Sequence, residues 1–518
     1  MRPEGTIARL PATLPDTDAG FVGLFDNQAQ ATPQLTFASI GAAPLSFAAL
    51  ERSSRALGTW LRSKGIGRGD RVALMLRNGE TALSLMLALA RTGIIWVPIN
   101  TQAVGDALAY VLGHAEPSLV IAESDLLPTL AACALTPPPR ILAAEDARRE
   151  AASVQARDMP VVPPPDAPFA IMYTSGTTGR PKGVIVSHRM LRLSGEAAAL
   201  VADPSPGDVL YLWEPLFHIG GAQMLILPLI RAVTLAVASR FSAGGFWADV
   251  RATGASHIHF LGGILQILLK QPPGPLDRSH GVRIAWGGGC PADIWEPFQD
   301  RFGVRVRECY GMTECSSVTT ANLDGPIGSV GKPLPWFDVG VLDAAGRPVA
   351  AGVRGEMAVT QRLAGALTPG YFKDPDATAR SFRAQAFLTG DLVSCDSDGN
   401  YFFHGRMTDS VRVRGENVTA MEVESVVRTH PAVEDCAMIG VAAEIGEAEI
   451  KLFVTVRPGG RLVPAELAAW FTDRLARYQR PRYIAIVEAF ERTPSARIMK
   501  HRLSQRTDDC WDLAAVNG

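Results

Sequence analysis

The sequence predicts an α/β protein with two domains: a large N-terminal domain of packed sheets and helices, and a small C-terminal α+β domain. Its 518 residues are too many for one ordinary core. In the first part of the chain, helical and strand patterns alternate, which is typical of parallel sheets covered by helices. Near residue 405 the sequence becomes polar and contains glycine at intervals. We therefore predict domains over residues 1–405 and 406–518, with a hinge at residues 405–409.

Apolar spacing predicts elements of the large domain. The stretch "RVALML" follows the turn "GIGRGD" and is typical of a buried strand. The run "GGAQMLILPLIRAVTLAVAS" is interrupted by Gln223, Pro228 and Arg231, so we expect a buried helix and strand rather than a membrane span. A helix before "RVALML" has one apolar face, formed by Leu50, Leu57, Trp60 and Leu61.

The small domain is predicted to be a compact α+β set. A helix over "AMEVESVVRTH" leads to a strand over "VEDCAMIGV". A second strand, "EIKLFVTV", alternates apolar residues with polar neighbours, the apolar ones being Ile450, Leu452, Val454 and Val456. The last predicted helix carries Leu467, Trp470, Phe471 and Leu475. About 110 residues suffice for one separate small domain.

The composition argues against several classes of partner. A net charge of −2 argues against nucleic acid or an anionic membrane as a bulk partner, so any anion site is local. The seven cysteines contain no C-x-x-C pair, which suits a reduced enzyme and offers no metal framework. The stretch "MRPEGTIARLPATLPDTDAG" has no apolar signal-peptide segment. We expect a cytoplasmic protein without membrane insertion, with a homodimer as the default assembly.

The stretch "YTSGTTGRPKGVIVSH", residues 173–188, predicts a phosphate-binding loop between two strands. Backbone N–H groups and hydroxyls of such a loop can surround phosphate oxygens while a lysine supplies positive charge. It is not a Walker loop, because the required G-K-[ST] spacing is absent. The alternative is a surface turn without a ligand. The residues expected to contact phosphate are Thr174, Ser175, Gly176, Thr177, Thr178, Gly179 and Lys182.

Further motifs follow this loop in order: "PLFHIGG" from residue 215, "WGGGCP" from 286, "YGMTE" from 310, "TGD" at 389–391 and "GRMTDSVRVRGENV" from 405. The pattern resembles the AMP-forming adenylating enzymes, which include acyl-CoA synthetases, beetle luciferases and peptide-synthetase adenylation domains, and is most like the acyl-CoA ligases. The resemblance covers almost the whole chain. It implies the adenylating-enzyme fold with a mobile small domain that rotates about the hinge. It also implies an enzyme that joins a carboxylic acid to coenzyme A through acyl-AMP, using ATP and Mg²⁺.

The resemblance implies a nucleotide site. Tyr310 offers a ring on which adenine can stack, Thr313 can bond the α-phosphate, and Glu314 can hold Mg²⁺. Asp391 is expected to accept hydrogen bonds from the ribose hydroxyls, and Arg406 to contact ribose or phosphate. Taken alone, a Tyr-Gly turn is more often just a strand end, a lone glutamate is usually a surface residue, and a lone aspartate after glycine is usually a turn residue. The other residues expected at the nucleotide are Gly288, Gly289, Cys290, Glu308, Cys309 and Gly311.

The resemblance also implies a pocket for the acid and a face for coenzyme A. His218 is expected to line the pocket, where peptide-synthetase domains carry an aspartate that holds the substrate amine, so a plain carboxylic acid is favoured. The other predicted pocket residues are Gly220, Gly221, Trp286, Gly287 and Met312, and small residues beside aromatic ones suggest a bulky apolar acid. The predicted hinge and coenzyme A residues are Thr408, Asp409, Arg412, Arg414, Gly415 and Glu416.

The terminal segment departs from the family pattern Pro-x-x-Gly-Lys-Ile-x-Lys. This chain has Ala496 and Arg497 in place of the glycine and the first lysine, and Lys500 at the second basic position. The family lysine contacts the acid and the phosphate as negative charge develops, and a planar guanidinium is a poor substitute for its compact ammonium. We therefore expect adenylation to be weak or absent and thioesterification to be retained, with acyl-AMP supplied by a separate adenylating enzyme. The residues expected to act in catalysis are His218, Thr313, Glu314, Arg497 and Lys500.

Three alternatives stay open. The first is a complete ATP-dependent acyl-CoA ligase in which Arg497 or Lys500 does the work of the family lysine. The second is a non-catalytic relative that binds a nucleotide or an acyl-adenylate. The third is transfer of the acyl group to the thiol of a carrier protein instead of coenzyme A.

Overall fold

The computed structural model describes residues 20–133, 135, 138–155, 163–174, 181–407, 410–413, 416–443, 448–472, 474–493 and 497–513. These residues form two compact units. The first comprises the described residues up to Val339 together with Val359–Phe387, and the second comprises Gly340–Ala358 together with the described residues from Leu388 onward. The boundary at residue 405 and the hinge at 405–409 stay predictions, and Thr408 and Asp409 lie outside the described residues.

The α-helices of the described residues belong mostly to the first unit. In chain order they are α1 (Phe21–Ala31), α2 (Phe47–Ser63), α3 (Glu80–Thr92), α4 (Gly105–Ala115), α5 (Leu127–Ala131), α6 (Ala144–Ala152), α7 (His188–Ala202), α8 (Ile219–Gln223), α9 (Leu227–Arg231), α10 (Phe246–Ala252), α11 (Ile264–Lys270), α12 (Ala292–Phe302), α13 (Pro375–Ser381), α14 (Ala420–Arg428) and α15 (Pro464–Thr472). No described helix has the length and apolar character needed to cross a membrane.

The β-strands are short and fall into several sheets. Up to residue 333 they are β1 (Thr36–Ile40), β2 (Ala43–Ser46), β3 (Arg71–Met75), β4 (Ile95–Pro98), β5 (Leu119–Ala122), β6 (Ile141–Ala143), β7 (Pro168–Thr174), β8 (Lys182–Ser187), β9 (Val209–Leu212), β10 (Thr234–Val237), β11 (His257–Leu261), β12 (Ile284–Gly288), β13 (Arg305–Tyr310), β14 (Thr320–Asn322) and β15 (Lys332–Pro333). The later strands are β16 (Phe337–Leu342), β17 (Gly355–Gln361), β18 (Phe382–Arg383), β19 (Ala386–Cys395), β20 (Tyr401–Arg406), β21 (Ser410–Val413), β22 (Glu416–Thr419), β23 (Val433–Val441), β24 (Glu449–Val456), β25 (Tyr483–Ile486) and β26 (Trp511–Asp512).

The first unit contains two mostly parallel sheets. As far as the described residues extend, one has the order β15-β14-β13-β12-β11-β9-β10-β1-β2 and the other the order β6-β5-β3-β4-β7-β8. In the first sheet, β9, β11, β12 and β13 are parallel neighbours, so their carboxyl ends meet at one edge. Ligands of open α/β sheets bind at such an edge. The α/β class predicted from the alternating pattern is confirmed.

The second unit has a separate apolar core. Strands β23-β24-β25-β26 form one sheet, and β21 and β22 form a hairpin. Apolar residues of β23, β24, α14 and α15 pack into one cluster with those of the hairpin. Strands β16, β17, β19 and β18, with β20 beside β19, form a further five-stranded sheet.

The predicted elements of the small domain are found with small changes. Strands β23 and β24 cover the stretches that the sequence predicts, and the last helix, α15, ends at Thr472, before Leu475. Burial along β24 does not follow its apolar alternation, because the polar position Lys451 is fully buried. Its Nζ donates to Asp509 Oδ1 at 2.6 Å and to the carbonyl oxygen of Arg506 at 2.5 Å. A buried ammonium needs such partners.

Candidate active site

The phosphate-binding motif lies in a β-hairpin of the first unit. Strands β7 and β8 are antiparallel, and Thr174 pairs with Lys182 where the loop leaves the sheet. The sequence predicts this placement between two strands. The loop residues Ser175, Gly176, Thr177, Thr178 and Gly179 lie outside the described residues, so their contact with phosphate stays a prediction.

One residue that the sequence analysis missed brings Lys182 and Glu314 together. The Tyr371 hydroxyl donates a hydrogen bond to Glu314 Oε1 at 3.0 Å. Lys182 Nζ lies 4.9 Å from the centre of the Tyr371 ring, within the range of a cation–π contact. Tyr371 is positioned by an antiparallel bridge to Val184 of β8. The lysine after the loop and the glutamate of "YGMTE" therefore share one tyrosine.

The Glu314 carboxylate is nearly buried and is held in place. The backbone carbonyl oxygen of Glu314 accepts a hydrogen bond from the N–H of Thr368 at 2.8 Å, and its side-chain Oε1 accepts one from the Tyr371 hydroxyl. Burial raises the pKa of Tyr371 above its ordinary value, and the nearby charge of Glu314 raises it further, so the phenol stays a donor. A fixed carboxylate oxygen is a hard ligand of the kind that Mg²⁺ prefers, so Glu314 fits the predicted metal role.

The glycine run at the end of β12 is held by a buried carboxylate. A Cβ at Gly287 would lie 1.8 Å from the carbonyl oxygen of Phe260, and its φ is +152°, so only glycine fits. Glu308 Oε1 accepts the N–H of Gly289 at 2.6 Å, and Oε2 accepts the N–H of Cys290 at 3.0 Å. Burial raises the pKa of Glu308 to about 8, although these two donors lower it. Glu308 therefore fixes the backbone of the run.

The motif "YGMTE" begins at the end of β13, beside the glycine run. Tyr310 is the last residue of β13, which is the parallel neighbour of β12. A Cβ at Gly311 would lie 1.9 Å from the carbonyl oxygen of Ser317, so the turn requires glycine. Thr313 and Glu314 lie in the buried 3₁₀ turn that follows, after the half-buried Met312. Tyr310 and Thr313, the predicted adenine and α-phosphate residues, thus follow one another at the carboxyl edge of this sheet. The neighbouring Cys309 is buried, which raises its thiol pKa.

Three of the predicted acyl-pocket residues, His218, Gly220 and Gly221, precede or begin the short helix α8. His218 is half-buried and directly precedes it. A Cβ at Gly221 would lie 2.3 Å from the carbonyl oxygen of Pro215. A Cβ at Gly220 would lie 2.6 Å from Glu214 Oε1. Gly221 is therefore required by its close approach to the backbone, whereas a Cβ at Gly220 would displace the Glu214 carboxylate.

A buried pair of ionisable residues lies beside this pocket, and the sequence analysis missed it. His259 Nδ1 is 2.7 Å from Glu214 Oε2, and both side chains are buried. The His259 ring packs on Trp286 with ring centres 4.4 Å apart, and the Trp213 indole donates to the His259 carbonyl oxygen at 2.7 Å. The available signals were an acidic residue directly before "PLFHIGG" and a second histidine in the strand "HIHFL".

The second unit holds the predicted ribose residues. Asp391 is almost fully buried on β19, and Arg406 is its partner on the antiparallel strand β20. Arg406 Nε lies 2.9 Å from Asp391 Oδ1. Arg412 and Glu416 belong to β21 and β22, whereas Thr408, Asp409, Arg414 and Gly415 lie outside the described residues. Contacts of this set with ribose or coenzyme A stay predictions.

The terminal segment places Arg497 and Lys500 in different surroundings. Arg497 is exposed, and its backbone is hydrogen-bonded to Thr493: the Thr493 N–H donates to the Arg497 carbonyl oxygen at 2.8 Å. The Arg497 N–H donates to Thr493 Oγ1 at 3.2 Å. Lys500 Nζ is 2.8 Å from Oε1 of Glu424, which also accepts the N–H of Met438 at 2.8 Å. Lys500 is therefore paired within the second unit.

Comparison with known proteins identifies the family. The AMP-binding enzyme family matches residues 25–372, more than half of the chain, and the AMP-binding enzyme C-terminal domain matches residues 422–497. The chain therefore belongs to the AMP-binding enzyme family. The resemblance inferred from the ordered motifs is confirmed.

Curated relatives match along nearly the whole chain. A sulfoacetate–CoA ligase of Cupriavidus necator is 32% identical over 511 residues, covering 96% of this chain and 99% of that protein. A crotonobetaine/carnitine–CoA ligase of Salmonella typhimurium is 30% identical over 479 residues, covering 88% of this chain and 92% of that protein. The prediction of an acid–thiol ligase of the AMP-forming acyl-CoA synthetase family is confirmed.

Solved structures match the fold. ATP-bound MatB from Rhodopseudomonas palustris has a TM-score of 0.84 and 26% identity, and the match covers 93% of this chain and 97% of that one. The O-succinylbenzoate coenzyme A synthetase from Bacillus subtilis, in complex with ATP and magnesium, has a TM-score of 0.82 and 24% identity, with 93% and 98% coverage. The adenylating-enzyme fold, with its large N-terminal and smaller C-terminal domain, is confirmed. The use of ATP, Mg²⁺ and coenzyme A is supported at the level of the family.

Proposed function

We propose that this protein makes an acyl-CoA thioester efficiently from acyl-AMP and coenzyme A, but forms acyl-AMP from ATP and the free acid weakly or not at all. In the proposed step, the thiol sulfur bonds to the acyl carbon, the bond between that carbon and the phosphate oxygen of AMP breaks, and the thiol proton goes to solvent. A separate adenylating enzyme supplies the acyl-AMP.

Arg497 is the single observation that carries this proposal. It occupies the place of the family lysine, and its side chain is exposed. A guanidinium is planar and forked, whereas the lysine ammonium is a compact charge that fits a crowded reaction centre. Loss of one well-placed donor typically slows a reaction by about 100- to 1,000-fold. The thioester-forming step does not use this residue.

The pairing of Lys500 supports the proposal, because it gives the second basic residue another role. The Glu424 side chain is only 9% exposed, and Lys500 and the Met438 N–H both contact its Oε1. If Lys500 left this pair for a reaction centre, a nearly buried carboxylate would lose one of its donors. Lys500 is therefore a poor replacement for the missing lysine.

The groups that would hold the nucleotide are retained. Glu314, fixed by Tyr371, would hold Mg²⁺, which supplies positive charge to the phosphate oxygens. Lys182 contacts the same tyrosine ring and would supply a second charge to the phosphates. A protein that only binds a nucleotide has little need for these groups together with a coenzyme A face, which argues against the non-catalytic alternative.

A complete ligase is the second candidate function. It is favoured by the two relatives described above, which are both named as CoA ligases and match at least 88% of this chain. In that case Arg497 or Lys500 would complete the adenylation site. The two relatives are named for different acids, so neither name fixes the acid used here.

The test compares two half-reactions of one purified sample over a panel of carboxylic acids. ATP–pyrophosphate exchange reports adenylation, and acyl-CoA formation from synthetic acyl-AMP reports thioesterification. We expect rapid thioester formation and exchange slower by about 100-fold or more. Arg497→Lys should raise the exchange rate, while Arg502→Lys, an exposed change in the same segment, should not.

Each other result selects an alternative. Exchange as fast as thioester formation would overturn the proposal in favour of a complete ligase. A protein that shows neither activity but still binds AMP would favour the non-catalytic relative. If the acyl group is transferred faster to a carrier-protein thiol than to coenzyme A in a direct competition, the acceptor is the carrier protein.

A further inference from the structure

The buried pair of Glu214 and His259 lacks hydrogen bonds that its chemistry requires. The two side chains approach to 2.7 Å, and the residues are 1% and 4% exposed. Even so, within the part of the chain that the structure describes, neither carboxylate oxygen of Glu214 accepts a hydrogen bond of acceptable geometry, and His259 Nδ1 makes none. Buried carboxylates without donors are rare, because burial removes their water without replacing it.

The pair lies where the predicted acyl-pocket residues converge. Glu214 comes two residues after β9, and His259 of β11 is the register partner of Trp286 on β12. The carboxylate rests against Gly220, where a Cβ would lie 2.6 Å from Oε1. Two of the predicted pocket residues, Gly220 and Trp286, therefore contact the pair from different elements.

Neighbouring protein groups are already committed to other partners. The indole N–H of Trp213 donates to the backbone of His259 and not to the carboxylate. The Asn78 amide donates to the Glu214 carbonyl oxygen at 2.9 Å, and its own carbonyl accepts the N–H of Leu216 at 3.0 Å. These hydrogen bonds hold the backbone around Glu214 and His259, and none of them reaches the Glu214 carboxylate.

We propose that Glu214 is a specificity-determining residue, which accepts a hydrogen bond from a hydroxyl or ammonium group on the tail of the carboxylic acid substrate. His259 is the positioning residue that holds the carboxylate. This inference rests on the proposed function, since it assigns the acid used at the same site. The substrate is then a bulky, largely apolar acid with one O–H or N–H donor away from its carboxylate. An acid without that donor leaves Glu214 unpaired, and sites built to bond a donor reject such analogues.

Binding of unreactive acyl-adenylate mimics tests this without turnover. Isothermal titration would compare cyclohexanecarbonyl sulfamoyl-adenosine with its 3-hydroxy, 4-hydroxy, 3-aminomethyl and 4-aminomethyl derivatives. We expect at least one derivative to bind about 10- to 100-fold tighter than the parent, as for a hydrogen bond to a charged group. In Glu214→Gln the ratio of that derivative's affinity to the parent's should fall by about tenfold, because an amide oxygen is a weaker acceptor than a carboxylate. The exposed change Glu296→Gln, made in the same unit, should leave the ratio unchanged.

A second variant keeps the test decisive if Glu214→Gln does not fold. Gly220→Ala retains the carboxylate but forces it away from its position, so the ratio should fall there too. A wild-type protein that binds all five compounds equally, or a preference that survives in every folded variant, overturns the inference. AMP is titrated in parallel: a protein that binds neither AMP nor any mimic contradicts the proposed function itself.

Discussion

Replacing Lys500 by methionine distinguishes a structural lysine from a catalytic one. Lys500 Nζ lies 2.8 Å from Oε1 of Glu424, and the Arg428 guanidinium lies 2.9 Å from Oε2. The side chains of Lys500 and Glu424 are 24% and 9% exposed. The change removes one of three donors, because Arg428 and the Met438 N–H remain.

The magnitude lies between two limits. A hydrogen bond to a charged group contributes about 1.5–3 kcal/mol, whereas an exposed ion pair contributes about 0–1 kcal/mol. For this partly buried pair we expect the free energy of unfolding of the second unit to fall by about 1–2 kcal/mol. The rates of thioester formation and of ATP–pyrophosphate exchange should change little.

Hydrogen exchange of β23 amides measures this loss, because Met438 on that strand shares the Glu424 carboxylate. Arg502→Met is the matched control: its side chain is 62% exposed and lies 3.9 Å from Glu491, so we expect less than about 0.5 kcal/mol. A Lys500→Met variant that loses exchange with pyrophosphate by 100-fold while β23 amides stay as protected as before would refute the reasoning.

Three further changes have definite expected outcomes. Gly287→Ala would place its Cβ 1.8 Å from the Phe260 carbonyl oxygen, so we expect a loss of more than about 3 kcal/mol, seen as unfolded protein by circular dichroism. Tyr371→Phe removes the donor to Glu314, so equilibrium ATP binding should need more Mg²⁺ and stability should fall by about 1–2 kcal/mol. Burial lowers the pKa of His188 in the folded protein to about 4. In the unfolded chain the same histidine has its ordinary pKa of about 6.5, so between these two pH values it is protonated only when the chain is unfolded. Stability should therefore fall as the pH falls from about 6.5 to about 4, by up to about 1.4 kcal/mol per pH unit, and His188→Phe should remove that part of the slope in urea midpoints.

Controls for these changes come from the same regions. Gly263→Ala should be tolerated, because its Cβ would be no nearer than 3.7 Å to another residue. An unchanged Mg²⁺ midpoint in Tyr371→Phe would contradict the assigned contact. Equal pH slopes in wild type and His188→Phe would show that the histidine titrates alike in both states.

Local pattern predicts elements well where apolar runs are continuous. Strands β23 and β24 match their predicted stretches letter for letter, because both are rich in β-branched and apolar residues. The burial of Lys451 was not predictable from period two, since its partner Asp509 lies 58 positions later. A pair between residues so far apart in the sequence cannot be predicted from the local pattern of apolar and polar residues.

The candidate site divides in the same way. Residues within ordered motifs, such as Glu314 and Gly287, could be named because motif spacing carries their chemistry. Tyr371 stands alone in a loop, and only its bridge to β8 and its bond to Glu314 give it a role. Glu214 and His259 are 45 positions apart, and adjacent parallel strands bring them together, which the sequence does not reveal.

The burial of Lys451 has a consequence for biosynthesis. A ribosome adding about 5–20 residues per second makes Asp509 roughly 3–12 s after Lys451. Once β25 has been made, and until Asp509 and β26 follow, the nascent sheet holds a cation without its counter-charge and β25 presents an uncovered edge. The growing chain is therefore most exposed to mispairing just before β26 emerges. A factor that binds nascent chains would protect it most at that stage.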